Sequence, residues 1–158
     1  MNEEGDSGIR FIADEMLGKL AKWLRAIGYD TVYYAGGGDS MLVRQALDED
    51  RLILTKDTRL VERKLARKSL LVKSDSPKDQ FRQVVEEFEL DVESRLFTRC
   101  LICNAELVSV KREDVRGRVP KYTYLTMSKF YECHHCGKIY WPGTHKESML
   151  EFINSVVA

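Results

Sequence analysis

Four cysteines stand in two pairs, Cys100-Leu-Ile-Cys103 and Cys133-His-His-Cys136. Thiols separated by two residues can grip one ion from a single turn, and two such pairs supply the tetrahedral sulfur set of structural zinc. Gly137 follows the second pair, where a glycine lets the backbone turn its amides toward the sulfurs. The 29-residue insert between the pairs exceeds the about 15–20 residues of a common ribbon, and a longer hairpin would fill it. Disulfides would require an oxidising compartment, and a lone redox motif leaves the second pair unexplained. His134 and His135 sit between cysteines already at ligand spacing and are expected on the surface.

The second set of chemistry-bearing residues is acidic. The apolar runs FIA, LILT and LLV are followed closely by Asp14, Asp57 and Asp75, and Asp39 follows a glycine break. If these runs are parallel strands, their tips share the edge at which open α/β sheets take ligands. Converging carboxylates repel unless a proton or cation intervenes. Mg²⁺ or Mn²⁺, hard and oxygen-seeking, is the natural guest, and two such ions can clamp in-line attack on a phosphodiester. A single aspartate after a strand is more simply a loop residue or a helix cap. Three on one edge favour a shared metal site.

The elements that must position these residues follow from hydrophobic spacing. Ile9–Ala13 reads as a strand, and Met16–Ile27 as a helix with Leu17, Leu20, Ala21, Leu24 and Ile27 on one face. Thr31–Ala35 is β-branched and aromatic, hence a strand, broken by Gly36–Gly38. Asp39 or Ser40 caps a helix running to about Leu47. Arg51–Thr55 is a third strand, Thr58–Arg67 a basic helix, Leu70–Lys73 a fourth strand and Asp79–Phe88 an amphipathic helix. Strands alternating with helices predict a parallel sheet. Near Glu93–Thr98 the composition turns β-rich, and Thr144–Glu147 fits a capping box for a last helix to about Val156.

At 158 residues and 44% hydrophobic, the chain accommodates one domain of about 100 residues with a small appendage. The expected division is a disordered tail over 1–8, an α/β unit over 9–95, and a zinc ribbon with a C-terminal helix over 96–158. No apolar run is long enough for a membrane helix and no charged-then-apolar leader opens the chain, so a cytoplasmic protein is expected. Charge is zero overall but uneven: residues 1–96 carry 16 basic and 19 acidic residues, and 97–158 carry 9 and 6. This balance does not mark a strong nucleic-acid binder, although a local basic face suffices.

FIADEMLGKLAKWLRAIGYDT, RLILTKDTRL and the two CxxC pairs with CGKIYWPGTH, in that order, resemble the Mut-seven C-terminal RNase family. The resemblance runs from Arg10 onward. It implies a PIN-like parallel sheet flanked by helices, followed by a zinc ribbon, and metal-dependent hydrolysis of RNA. Carried onto this chain, the acids are Asp14, Asp39, Asp57 and Asp75, with Asp14 and Asp57 holding the principal Mg²⁺ or Mn²⁺. Thr55 is suited to hydrogen-bond Asp57 or a metal-bound water. Zinc at Cys100, Cys103, Cys133 and Cys136 is structural.

RNA is then the expected partner, with no membrane, and with homo-oligomerisation and protein partners left open. Arg59, Arg63 and Arg67 recur every four residues, which in a helix stacks them on one face beside Asp57. Arg25, in GKLAKWLR, is expected to meet phosphate by the same resemblance. Lys111–Tyr124 interleaves basic residues with tyrosines, a pattern that holds single strands, while Phe130, Tyr131, Tyr140 and Trp141 are expected to pack around the cysteines. The rival is a non-catalytic RNA- or ribosome-binding module. A receiver or a HAD-like phosphatase would also use strand-end acids, but neither accounts for the ribbon, and the latter wants DxD where this chain has DEM.

Overall fold

Burial of the central strands on both faces organises the molecule. The computed structural model describes residues 8–142 and 151–155. Its first part is a four-stranded parallel sheet of β1 (Phe11–Ala13), β2 (Thr31–Tyr33), β3 (Leu52–Thr55) and β4 (Ser69–Leu71), in the order β2-β1-β3-β4. Successive side chains of a strand point to opposite faces. Phe11, Ala13 and Leu54 accordingly pack into one apolar cluster, and Ile12 and Ile53 into another. Both faces need helices, as parallel sheets do.

On the first face lie α1 (Gly18–Ala26), through Leu20, Ala21 and Leu24, and α4 (Pro77–Phe88), through Phe81, Val84 and Val85. On the second lies α2 (Asp39–Asp48), through Leu42, Val43 and Ala46, joined by Leu60 of α3 (Thr58–Val61). Full burial of each such large apolar side chain contributes about 1.5–3 kcal/mol, so these two clusters carry most of the stability of this part. Residues 151–155, grouped by sequence with the ribbon, pack on the first face instead. Ile153 is fully buried there, and Phe152 lies 4.6 Å ring-to-ring from Trp23.

The second part is an antiparallel sheet of β5 (Val108–Val110), β6 (Phe130–Glu132) and β7 (Ile139–Tyr140), with the four cysteines beside it. Its long insert is not an extended hairpin. A 3₁₀ turn (Arg112–Val115) and α5 (Lys121–Thr126) fill it, Pro120 standing at the cap of α5. Two further expectations change. The basic helix ends at Val61 rather than Arg67, because Leu65 points to solvent and only Ala66 returns to the core. Without an apolar face a short helix has nothing to hold it. The fourth strand begins one residue earlier and ends two earlier than expected. The expected capping box at Thr144–Glu147, and residues 1–7 of the expected tail, lie outside the described residues.

Contacts between the two parts converge on the amino-terminal ends of the strands. Arg25, 7% exposed, donates through Nε to the Thr31 carbonyl and through Nη1 to the carbonyls of Leu101 and Ile102, at 2.8, 2.8 and 3.2 Å. Asn104 accepts from the Thr31 N–H at 2.9 Å and donates to Asp30 at 2.6 Å. Asp30 also pairs with buried Arg51 at 2.8 Å, which donates in turn to the Phe11 carbonyl. Hydrogen bonds from Arg51 and Asn104 hold the Asp30 carboxyl below its usual range although burial opposes this. Burial lowers the Arg25 guanidinium pKa, with the neighbouring Cys100, Cys103 and Asp30 working against it.

Candidate active site

β1 and β3 are neighbours, and the connection from β2 to β3 passes β1, so the winding reverses between the two central strands. In open α/β sheets this switch point is where ligands enter. A cavity of about 510 Å³ opens there, lined by Asp14, Asp39 and Asp57 together with Glu15, Lys56, Tyr34 and the glycines 36–38. The register Ala13↔Leu54 sets Asp14 beside Thr55, and the Asp14 N–H donates to the Leu54 carbonyl at 3.1 Å.

A single hydroxyl ties the two central acids together. Thr55, wholly buried, donates to Asp14 Oδ2 at 2.6 Å and accepts from the Asp57 backbone N–H at 3.0 Å. Each acid also caps the helical segment after it: Asp14 Oδ1 accepts from the Met16 N–H at 3.0 Å, and Asp57 Oδ1 from the Arg59 N–H at 2.9 Å. An ionised carboxylate offers about four lone-pair sites, so capping leaves each acid with further accepting capacity. Asp39 enters from the first turn of α2. Among the described residues no three carboxylates close to within 4.8 Å of one another, so the acids share a cavity wall without forming a tight cluster.

The rest of the wall comes from the glycine break. A Cβ on Gly37 would overlap the Tyr34 hydroxyl, so the loop crosses close over the tyrosine ring, and a side chain there would have to displace the ring. Tyr34 and this loop, with Glu15, were not recognised from sequence as site residues. Gly36–Gly38 marks a strand break in the sequence, but spacing alone does not place that loop against the acids.

The other expected site residues separate. Asp75 does not line the cavity; its side chain is 93% exposed and ion-paired with Lys56, which does. Arg63 reaches back to α2, donating to the Ser40 hydroxyl at 3.0 Å with Nη2 at 3.9 Å from Asp39 Oδ2. Arg59 is exposed beside Asp57. The expected alignment of Arg59, Arg63 and Arg67 on one helical face does not form, because α3 is too short. Arg25 is not available to phosphate: it is buried against the ribbon and its guanidinium serves the three carbonyls named above.

The sulfurs of Cys100, Cys103, Cys133 and Cys136 all lie within 4.8 Å of one another, a cluster compatible with zinc. The two turns carrying them match. The Asn104 N–H donates to the Cys100 carbonyl at 2.9 Å and the Gly137 N–H to that of Cys133 at 2.7 Å, with φ of +67° and +78° at the two left-handed positions. The Cys103 N–H points at Cys100 Sγ at 3.4 Å. The Tyr140 hydroxyl accepts from the Leu101 N–H at 3.2 Å, which leaves its proton for Cys100 Sγ at 3.1 Å. Burial opposes ionisation of Cys100, but Tyr140 and the amides of Ile102 and Cys103 bring it down to about 7. Burial and the neighbouring sulfurs push Cys103 up to about 12. His134 and His135 are exposed, and Phe130 and Tyr140 are buried.

A family model described as the Mut7-C RNAse domain matches residues 9–153, nearly the whole chain, and carries with it a nuclease or RNA-related role. No curated protein matches. Among the described residues no helix is long and apolar enough to cross a membrane.

Proposed function

We propose, from the premise that the chain belongs to the Mut7-C RNAse domain family, that it is a metal-dependent ribonuclease hydrolysing RNA phosphodiester bonds. The observation that carries this reading is the meeting of Asp14, Asp39 and Asp57 in one cavity at the sheet's switch point. Their all-oxygen, anionic donor set suits Mg²⁺ or Mn²⁺. Asp14 and Asp57 would hold the ion and Asp39 would complete its surroundings. A bound divalent cation supplies Lewis acidity, easing deprotonation of an attacking water and screening phosphate charge.

The chain's own groups do the rest. Thr55 fixes Asp14 and the Asp57 backbone relative to each other. Lys56, held by Asp75 at the cavity wall, offers a cation to a phosphate oxygen. Arg59 and Arg63 extend that positive rim outward, and Tyr34 with Met16 gives a base a surface to rest on. In this reading residues 9–95 form the nuclease unit, the cysteine cluster takes structural zinc, and the last described residues return to the nuclease core.

The rival, a non-catalytic RNA- or ribosome-binding module, has one observation in its favour: Asp14 and Asp57 already have capping work. Incubation of labelled single-stranded and structured RNA with zinc-loaded protein separates the two, with Mg²⁺ or Mn²⁺ and with Asp14→Asn and Asp57→Asn as controls. Cleavage by the wild type that both variants lose supports the nuclease. RNA bound but uncut by the wild type supports the module.

A further inference from the structure

We infer that the insert between the two cysteine pairs is a stacking platform for single-stranded RNA, centred on Tyr122. The inference rests on the nuclease reading for the kind of nucleic acid, and adds a site that shares no residue with the acidic cavity.

Residues 111–129 form one excursion, closed at its base where Val110 pairs with Phe130. Val115 and Phe130 are buried beneath it. What stays outside is unusual in a segment this small: Tyr122 is 77% exposed and Leu125 61%. The two are three residues apart on α5 and share a face. The base of the platform is braced, since the Arg112 guanidinium lies 4.3 Å over the Tyr124 ring and its Nε donates to the Tyr124 carbonyl at 2.9 Å. Tyr122, by contrast, has no ring or cation against it among the described residues.

Charge selects the occupant. The excursion carries six basic residues and two acidic, inside a chain that is neutral as a whole. Arg118 is neutralised by Glu132. Lys111, Arg116, Lys121 and Lys129 have no acidic partner among the described residues. An open aromatic ring among unpaired cations matches a base over its own phosphates. One ring and one leucine are too little apolar surface for a stable protein interface. A duplex hides its base faces in the stack, so the strand must be single.

The test reads binding without cleavage. Zinc-loaded full-length Asp57→Asn protein is titrated into a fluorescently labelled twelve-nucleotide oligouridine, and anisotropy is followed at several salt concentrations. Tyr122→Ala is expected to weaken binding about 5- to 150-fold, the range of one lost base stack, while Tyr122→Phe keeps the affinity of the Asp57→Asn parent. Arg116→Ala with Lys121→Ala should reduce the salt dependence by about 0.7 for each lost phosphate contact. Tyr122 is exposed, so these changes leave folding intact. Equal affinity of Tyr122→Ala and the Asp57→Asn parent, or equal loss in Tyr122→Phe, would overturn the platform. The outcomes separate from those of the nuclease reading. RNA bound through Tyr122 but never cut by the wild-type protein with Mg²⁺ or Mn²⁺ defeats the nuclease alone. RNA cut by a protein whose affinity ignores Tyr122 defeats the platform alone.

Discussion

The two ends of the parallel sheet carry the same kinds of residue and treat them in opposite ways. At the amino-terminal ends of β1, β2 and β3, Arg25, Asp30, Arg51 and Asn104 are buried or half-buried and bonded to one another and to backbone carbonyls. At the carboxyl-terminal ends, Asp14, Asp39 and Asp57 line an open cavity. Buried charge is tolerable only when paired and hydrogen-bonded, which makes the first end a joint. Carboxylates left facing a cavity repel and invite a cation, which makes the second end the candidate site. Residue type alone distinguishes neither, since an aspartate caps, clamps or ligates according to what surrounds it.

The largest expected effect breaks the joint from the ribbon side. Binding of structural zinc contributes on the order of 10 kcal/mol to the folding of small domains. Cys100→Ser with Cys133→Ser should therefore abolish zinc, read by metal analysis. It should also lower the melting temperature of the whole chain, because Leu101, Ile102 and Asn104 hold the strand ends. An unchanged melting temperature would make the ribbon an independent appendage.

Next comes the site. Asp14→Asn or Asp57→Asn should reduce RNA cleavage on the order of a hundredfold or more, beyond the 10–100-fold typical of groups that only support a ligand, with little change in melting temperature. Asp75→Asn should act only through Lys56, and so by much less.

Asp30→Ala tests the contrast from the other end. It takes from buried Arg51 one of its two carboxylate partners, Glu49 remaining at 2.6 Å, and should destabilise by about 1–3 kcal/mol, while cleavage per folded molecule stays near normal. The pH dependence has a definite sign. The folded-state pKa of Asp30 is lowered, so its stabilisation is complete above the unfolded carboxylate value of about 4 and is lost as pH falls through the lower folded value. Acid unfolding of wild type, but not of Asp30→Ala, should show this loss.

The smallest effects sharpen the account. Thr55→Val removes the hydroxyl linking Asp14 to Asp57 and leaves the Asp57 N–H unpaired, a stability loss of about 1–2 kcal/mol, with a reduction in cleavage smaller than that of Asp14→Asn. Arg63→Ala should weaken RNA binding a few-fold, and more at low salt than at high.

The acid end was legible in the sequence and the joint was not. Three apolar runs each followed closely by an aspartate predict a shared edge once the strands are parallel; the register Ala13↔Leu54 sets Asp14 beside Thr55, and Asp14 and Asp57 line one cavity. The cysteine cluster follows from spacing, because chelation is local. Arg25 shows where local reading stops. In GKLAKWLR it resembles the exposed Lys22, and its burial is set by carbonyls 76 and 77 positions away. Asn104 gives no signal in periodicity or spacing, yet its left-handed backbone turns its amide onto Asp30 and Thr31. The basic helix was overread because regular arginine spacing cannot show whether an apolar face lies beneath it.

The central claim is that the acids of the switch point share a divalent cation, and Mn²⁺ binding to zinc-loaded protein tests it most directly. Electron paramagnetic resonance titration should give saturable Mn²⁺ binding by wild type and by Asp75→Asn, and loss of that binding in both Asp14→Asn and Asp57→Asn. Mn²⁺ bound equally well by Asp14→Asn and Asp57→Asn would contradict the account and leave both acids as helix caps.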